Sequence, residues 1–309
     1  MDQIQSAFRQ VQENIERVIP GKSDVIRNLI ATVLAGGHVL LEDVPGTGKT
    51  TLAKALARSI DAKWNRIQCT PDLTSSDIMG GRYYNFSTGA FVFHPGAIFA
   101  NIVLADELNR ATPKSQSGFL EAMSEQSVTI ESDVYALPQP FIVIATQNTH
   151  DQSGTYRLPH AQLDRFASCL SLGMPDYDHE IAILLSHQTH EPVDRTEAVC
   201  SLVDLMDAQR EVRNVFVHAD VRQFIVDILA RLRKHEVYAQ TLSPRAGLWI
   251  QRISQALTWM DARNAFVHPD TVTSCAYGVL RHRCHFPNHT DMDMQKLIQD
   301  AIGNVRLPK

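Results

Sequence analysis

One segment, from His38 to Thr51, limits what this chain can fold into more than any other. Val39 to Leu41 is an apolar run suited to a buried strand. Pro45, Gly46, Thr47 and Gly48 cannot continue it. From Thr50 to Ile60 the pattern turns helical, with Leu52, Ala55, Leu56 and Ser59 on one face. A glycine-containing loop between a strand and a helix aims backbone N–H groups at one point, and the helix dipole favours an anion there. Lys49 adds a charge for β- and γ-phosphates, and the Thr50 hydroxyl can ligate magnesium. Pro45, Gly46, Thr47, Gly48, Lys49, Thr50 and Thr51 are therefore the candidate nucleotide-binding residues.

The full phosphate-loop pattern has glycine five places before Gly48, where this chain has Asp43. Without that glycine, a Gly-Lys-Ser/Thr triplet arises by chance in roughly one chain in six of this size. A Gly/Pro turn before an ordinary helix is the plainer alternative. The strand and helix flanking the loop favour the phosphate reading, because the mechanism requires both.

At 309 residues the chain has room for one large or two ordinary domains. Net charge is -5, so no global basic field draws it to nucleic acid or membrane. Cys69, Cys169, Cys200, Cys275 and Cys284 are scattered, without a CxxC pair, which fits reduced thiols in a cytoplasmic setting. Cys284 lies near His282 and His285, but the spacing is short and no distant partner pair exists, which favours a polar helix end over a metal site. The first residues are amphipathic and mixed in charge, unlike a signal peptide. No apolar stretch approaches the roughly 20 residues of a membrane span.

Helical spacing is expected over residues 2–19 and 23–35. Buried strands are expected at Val39–Leu41, Trp64–Cys69, Asn101–Ala105, Phe141–Ala145 and Ser168–Leu172. Five such runs alternating with helical segments imply a parallel sheet covered on both faces. Ligands of open α/β sheets bind beyond the carboxyl ends of the strands. After Met174, Pro175 and Asp176 the pattern is helical, over 177–190, 197–213, 219–235, 244–261 and 270–282. The boundary is placed near residue 175, giving an α/β domain over 1–175 and a helical domain over 176–309. No internal repeat is visible. Two β-hairpins interrupt the α/β part, one over 80–94 turning at Ser87 to Gly89, the other over 126–138 turning at Glu131 to Asp133. Long protrusions on a compact fold are more often functional than idle.

Asn101 to Glu107 is a strand ending in two acids. Asp106 can hold the magnesium shell, and Glu107 can polarise a water in line with a γ-phosphate. Asn148 closes another strand, where it can hydrogen-bond the γ-phosphate or that water; a turn-forming asparagine is the alternative. Arg165, set between apolar anchors, has the makings of an arginine finger or of a structural ion pair. Arg245 follows Pro244 in the first turn of a helix, where the dipole favours anions, and a bound phosphate would explain it.

Together these segments carry a resemblance. Pro45–Thr50, Gln68–Leu73, Leu104–Arg110, Leu120–Met123, Ala145–Asn148, Gly154–Tyr156, Ala161–Phe166 and Ser243–Ala246 are similar, in content and order, to the motifs of AAA+ ATPases of the MoxR family. The resemblance spans residues 20 to about 285. It implies a P-loop AAA+ core, α/β with a five-stranded parallel sheet, followed by an all-α lid. It implies ATP and Mg2+ as ligands. Lys49 and Thr50 would be Walker A, Asp106 and Glu107 Walker B, Asn148 sensor 1, Arg165 the arginine finger and Arg245 sensor 2. The catalytic set would be Glu107, Asn148 and Arg165, with Arg245 contacting nucleotide and Thr50 and Asp106 serving the metal. The hairpins near 80–95 and 126–139 would line the pore of a ring, usually a hexamer. Such proteins act as chaperone-like machines on a client protein, often with a von Willebrand factor A domain partner and sometimes in metal-cofactor insertion. Cys69 and Arg157 depart from the phenylalanine and proline expected there. Asp43 departs more sharply: its carboxylate would repel phosphates unless turned away, so Asp43→Gly is expected to tighten ATP binding.

Two other motors share these parts. A nucleic-acid motor needs basic pore hairpins, whereas Arg82 here stands among Tyr83, Tyr84, Phe86 and Phe91, and the second hairpin carries Glu131 and Asp133. A chelatase-type motor subunit would drive metal insertion carried out by a different subunit. A nucleotide switch without turnover has little need of Glu107, Asn148 and Arg165 together.

Overall fold

A computed structural model describes residues 3–148, 154–186, 191–234, 242–261, 265–284 and 291–307. The α/β part runs α1 (Gln3–Val18), α2 (Ser23–Leu34), β1 (Val39–Glu42), α3 (Lys49–Ser59), β2 (Trp64–Gln68), α4 (Ser75–Met79), β3 (Gly80–Asn85), β4 (Ala90–Pro95), β5 (Ile102–Asp106), α5 (Pro113–Glu125), β6 (Ser127–Ile130), β7 (Asp133–Ala136), β8 (Ile142–Gln147), α6 (His160–Leu163) and β9 (Ser168–Leu170). The helical part follows with α7 (Tyr177–Ser186), α8 (Leu202–Asn214), α9 (Ala219–Arg233), α10 (Pro244–Asp261), α11 (Pro269–Leu280) and α12 (Asp291–Gly303).

The central sheet has five strands in the order β2-β5-β8-β1-β9, and every pairing is parallel. Alternate residues of its inner strands enter two separate cores, as the two-residue period of a strand requires. Val39, Leu41, Leu104 and Ile144 join the core shared with α1, α2 and α3. Leu40, Val103, Ala105 and Val143 join the core on the opposite face, with Phe119 and Phe166. Burial on both faces explains why these strands read as continuous apolar runs. The chain leaves β1 for the sheet's edge at β2, then works back, so β1 lies between β8 and β9. Its carboxyl end is the point where a ligand crevice opens.

The first core continues into the helical part, taking in Leu205, Phe224, Ile250 and Val272. α10 packs on α2, and α11 packs on β9. Helix bounds follow the expected spacing where caps are clear. The helix expected at 197–213 begins instead at Leu202, because Ser201 forms a capping box with Asp204. α12 was not among the expected helices. Residues 2, 187–190 and 235 of the expected helices lie outside the described residues.

In the helical part Phe216 to Asp220 and Phe266 to Asp270 both read Phe-Val-His-x-Asp, a local match and not a full repeat. The two segments lie side by side as a parallel bridge between Phe216 and Phe266, and each leads into a helix. The match is too short to stand out along the chain.

Both hairpins form as expected, β3 with β4 and β6 with β7. Gly80 sits at φ 89, and a Cβ there would lie 2.1 Å from the His94 carbonyl, so the base of the first hairpin needs glycine. Arg82 reaches Asp133 at 3.1 Å and Glu131 at 3.6 Å, and Phe93 stacks on Tyr135 at 3.9 Å, which joins the hairpins into one unit. Phe86 is 91% exposed at the tip, with Tyr83, Tyr84 and Phe91 also exposed.

Candidate active site

The loop between β1 and α3 turns on two glycines with left-handed backbone, Gly46 at φ 85 and Gly48 at φ 88. A Cβ at Gly46 would meet nothing within 4 Å, and one at Gly48 only the Ile19 methyl at 3.5 Å. The glycines are therefore required by backbone geometry and leave the loop's inner face open. A cavity of about 370 Å³ lies against that face. It is lined by Pro45, Gly46, Gly48, Lys49, Thr50, Thr51, Arg66, Asp106, Glu107, Thr146, Gln147 and Asn148. Of the other residues read from the sequence, Thr47 is in the same loop, its hydroxyl donating to the Val44 carbonyl at 3.2 Å.

Lys49 Nζ donates to the carbonyls of Val44 at 2.7 Å and Asp43 at 3.1 Å. Partial burial lowers its pKa, opposed by the charges of Asp43, Asp106 and Glu107. Asp106 ends β5, and its carboxylate is nearly buried. Its Oδ1 accepts from the Thr146 hydroxyl at 2.7 Å, and its Oδ2 lies 3.5 Å from the Thr50 hydroxyl. Glu107 follows with left-handed backbone, φ 55 and ψ 50, a conformation a non-glycine residue holds only when its surroundings impose it. Both sides of the residue are held: Thr146 accepts the Glu107 N–H at 2.8 Å, and the Glu107 carbonyl accepts from the Arg110 N–H at 2.8 Å. That twist separates the two acids, as adjacent carboxylates with different roles require. The Glu107 carboxylate accepts from Arg110 at 3.2 Å and from Gln68 at 3.3 Å.

This donor set suits magnesium. Thr50 Oγ1 and Asp106 Oδ2 are hard oxygens, and magnesium is commonly held by one or two carboxylates while phosphates and waters complete its shell. The open glycine cradle suits a phosphate chain in the same way.

Asp43 corrects an expectation. Its Oδ2 accepts from the Gly173 N–H at 2.7 Å and the Ser171 hydroxyl at 3.2 Å, and its Oδ1 from the Val44 N–H at 3.0 Å. The carboxylate is turned toward the segment after β9 and held there by three donors, which weakens the expected repulsion of phosphates. Asp43 instead ties the phosphate loop to the connection that leads into the helical part.

Arg165 and Arg245 do not line this cavity. Arg165 donates to the Leu120 carbonyl at 2.5 Å and to the Ser124 hydroxyl, both on α5. Arg245 lies in the first turn of α10, as expected, with its guanidinium 4.0 Å from Asp164. Asp164 is a hub: it accepts from Ser243 at 2.8 Å and from the buried Arg283 at 2.8 Å. The residue preceding Arg165 is thus bonded to the start of the helix that carries Arg245. His282 and Cys284 do not form the polar helix end expected: both are buried beside Arg283, and His282 Nε2 is 3.1 Å from the Phe166 carbonyl. His285 lies outside the described residues.

Arg66, Gln68, Thr146 and Arg110 were not given roles from the sequence. The first three lie on strands beside the acids, and a polar residue within an apolar run is the one signal available for them.

Strand order, glycine loop and the helical region behind the sheet define an AAA+ fold. Family profiles agree: the ATPase family associated with various cellular activities (AAA) matches residues 38–168, and the AAA lid domain matches residues 219–301. The uncharacterized protein YeaC of Bacillus subtilis is 44% identical over 96% of this chain and 93% of its own. Chaperone MoxR1 of Mycobacterium tuberculosis is 36% identical over 87% of this chain and 73% of its own. A solved structure of a candidate ATPase from Cytophaga hutchinsonii superposes with a TM-score of 0.88, at 31% identity, covering 99% of this chain and 96% of that one. The chain belongs to the MoxR family of AAA+ ATPases.

Proposed function

We propose that this chain hydrolyses ATP with magnesium and spends the resulting motion on a client protein. The observation that carries the reading is the convergence of Lys49, Thr50, Asp106, Glu107 and Asn148 on one cavity at the carboxyl end of the sheet. In the proposed reaction the N–H groups of Gly46 to Thr51 hold the phosphate chain, and Lys49 leaves its carbonyl partners for the β- and γ-phosphates. Thr50 and Asp106 would hold magnesium, which when bound would supply charge neutralisation on the phosphate oxygens. Glu107 orients the attacking water and takes its proton, and Asn148 fixes the γ-phosphate or that water.

Arg165 and Arg245 complete the reading. Because Arg165 lies outside its own chain's cavity, its role is proposed in trans, on the nucleotide of a neighbouring subunit in a ring, with a hexamer the expected number. Arg245 would close the helical lid on the γ-phosphate. The domain boundary near residue 175 is the proposed hinge. A cytoplasmic setting is part of the reading, supported by five scattered cysteines, each buried. Among the described residues no helix is long and apolar enough to cross a membrane.

A protein client is favoured over nucleic acid by one observation. Arg82, the cation of the first hairpin, is engaged by Glu131 and Asp133, and what projects beyond it is aromatic: Tyr84, Phe86 and Phe91. Such a tip grips apolar side chains and offers phosphates nothing. A von Willebrand factor A domain protein is the proposed partner, and metal-cofactor insertion the proposed service. Glu107→Gln is the test. It is expected to bind ATP, assemble and retain client in a pull-down while turnover disappears. Undiminished hydrolysis refutes the role of Glu107.

A further inference from the structure

Arg66 has no place in the phosphate-loop pattern, yet it reaches the middle of the site. It projects from β2, and its side chain is 47% exposed. Nε and Nη2 both donate to Oδ2 of Asp106, at 3.0 and 2.6 Å, and Nη2 donates to Gln68 Oε1 at 2.6 Å. The other oxygen of Asp106 is held by Thr146. Both oxygens of Asp106 are therefore engaged, with a hydroxyl on Oδ1 and a guanidinium on Oδ2. Among the described residues, no other cation forms an ion pair with it. Lys49 is turned to the carbonyls of Asp43 and Val44.

Oδ2 is also the oxygen nearest the Thr50 hydroxyl. A magnesium ion held between Thr50 and Asp106 needs it. Two cations in contact with one carboxylate oxygen repel each other at a few ångströms, where screening by water is weakest inside a partly buried cleft. Oδ1 is the less available oxygen, because the buried Thr146 hydroxyl already holds it. Resting on the magnesium–nucleotide reading of the cavity, we propose that Arg66 competes with magnesium for Asp106 Oδ2 and must be displaced when the ion arrives. Arg66 thereby sets the metal concentration at which nucleotide is held. It already lines the cavity, so the displaced guanidinium remains beside the phosphates.

The test titrates the full chain with free magnesium at a fixed concentration of a fluorescent, non-hydrolysable ATP analogue, with a parallel series in excess chelator. Manganese binding followed by electron paramagnetic resonance gives a readout independent of turnover. Arg66→Met is expected to lower the half-saturating metal concentration about tenfold, the size of one charge-assisted bond partly exposed to water. Arg66→Lys, which keeps the charge but lacks the planar fork, is expected to shift it about threefold in the same direction. Should Arg66→Met fail to fold, the lysine variant decides alone. An unchanged or raised midpoint overturns the proposal. So does weaker analogue binding in chelator with no shift in midpoint, which makes Arg66 a phosphate ligand only. If the wild-type chain binds no analogue at any metal concentration, the nucleotide reading itself fails, a result distinct from equal midpoints.

Discussion

Replacing Thr146 by valine tests how the two acids are held apart. Thr146 is fully buried, and valine matches its shape. The substitution deletes the donor to Asp106 Oδ1 and the acceptor of the Glu107 N–H, at 2.7 and 2.8 Å. A hydrogen bond to a charged group is worth about 1.5–3 kcal/mol, and an unsatisfied buried N–H costs about 1–3 kcal/mol. The two share one hydroxyl, so the sum is expected to fall near 3 kcal/mol of folding stability. Turnover should fall further. The bond to Thr146 helps hold Glu107 at φ 55, and a shift of about 1 Å in a catalytic group can lower a rate about a hundredfold. Urea unfolding measures the first effect and steady-state ATP hydrolysis the second. Thr146→Ser keeps the hydroxyl and should restore most of both. A valine variant as stable as wild type, with turnover within about twofold, refutes the reasoning.

Two further outcomes follow from buried groups. Asp43→Gly should leave nucleotide affinity unchanged within about twofold while lowering stability by about 1–3 kcal/mol, since it frees Gly173 and Ser171; markedly tighter binding of an ATP analogue by the glycine variant would restore the repulsion argument. His38 is buried and neutral, with Nδ1 accepting from the Val143 N–H and Nε2 donating to the Met123 carbonyl, and burial brings its pKa down to about 4. Its folded pKa lies below the unfolded 6.5, so the unfolded chain takes up the proton first as pH falls. The associated stability is complete above pH 6.5 and is lost between there and pH 4, about 3 kcal/mol in all. NMR titration of the imidazole checks this directly, and an ordinary midpoint near 6.5 would be fatal to it.

What was legible was local. The loop at Pro45 to Thr51 announces itself because glycine, proline and a following helical face occupy one short stretch. The hairpins were legible for the same reason, as alternating apolar residues around a turn. Asp106 and Glu107 were legible because two acids stand at the end of an apolar run. The Phe-Val-His-x-Asp match is too short to mark a repeat along the chain, because each copy is only a helix entry; pairing Phe216 with Phe266 gives it meaning.

The residues that tune the site were hidden for a different reason. Arg66, Gln68 and Thr146 lie about 40 positions from the acids they bond, and only the parallel order β2-β5-β8 sets them beside Asp106 and Glu107. Asp43 shows the same division: the chain reveals a carboxylate where glycine is usual, but which way it points depends on Gly173, 130 residues away. Residue order thus determined the phosphate loop, the acid pair and the run of strands and helices, because those depend on neighbours along the chain. Which oxygen of Asp106 each partner takes, and which way Asp43 faces, were decided only when the sheet placed β1 between β8 and β9, because hydrogen bonds and charge act through space.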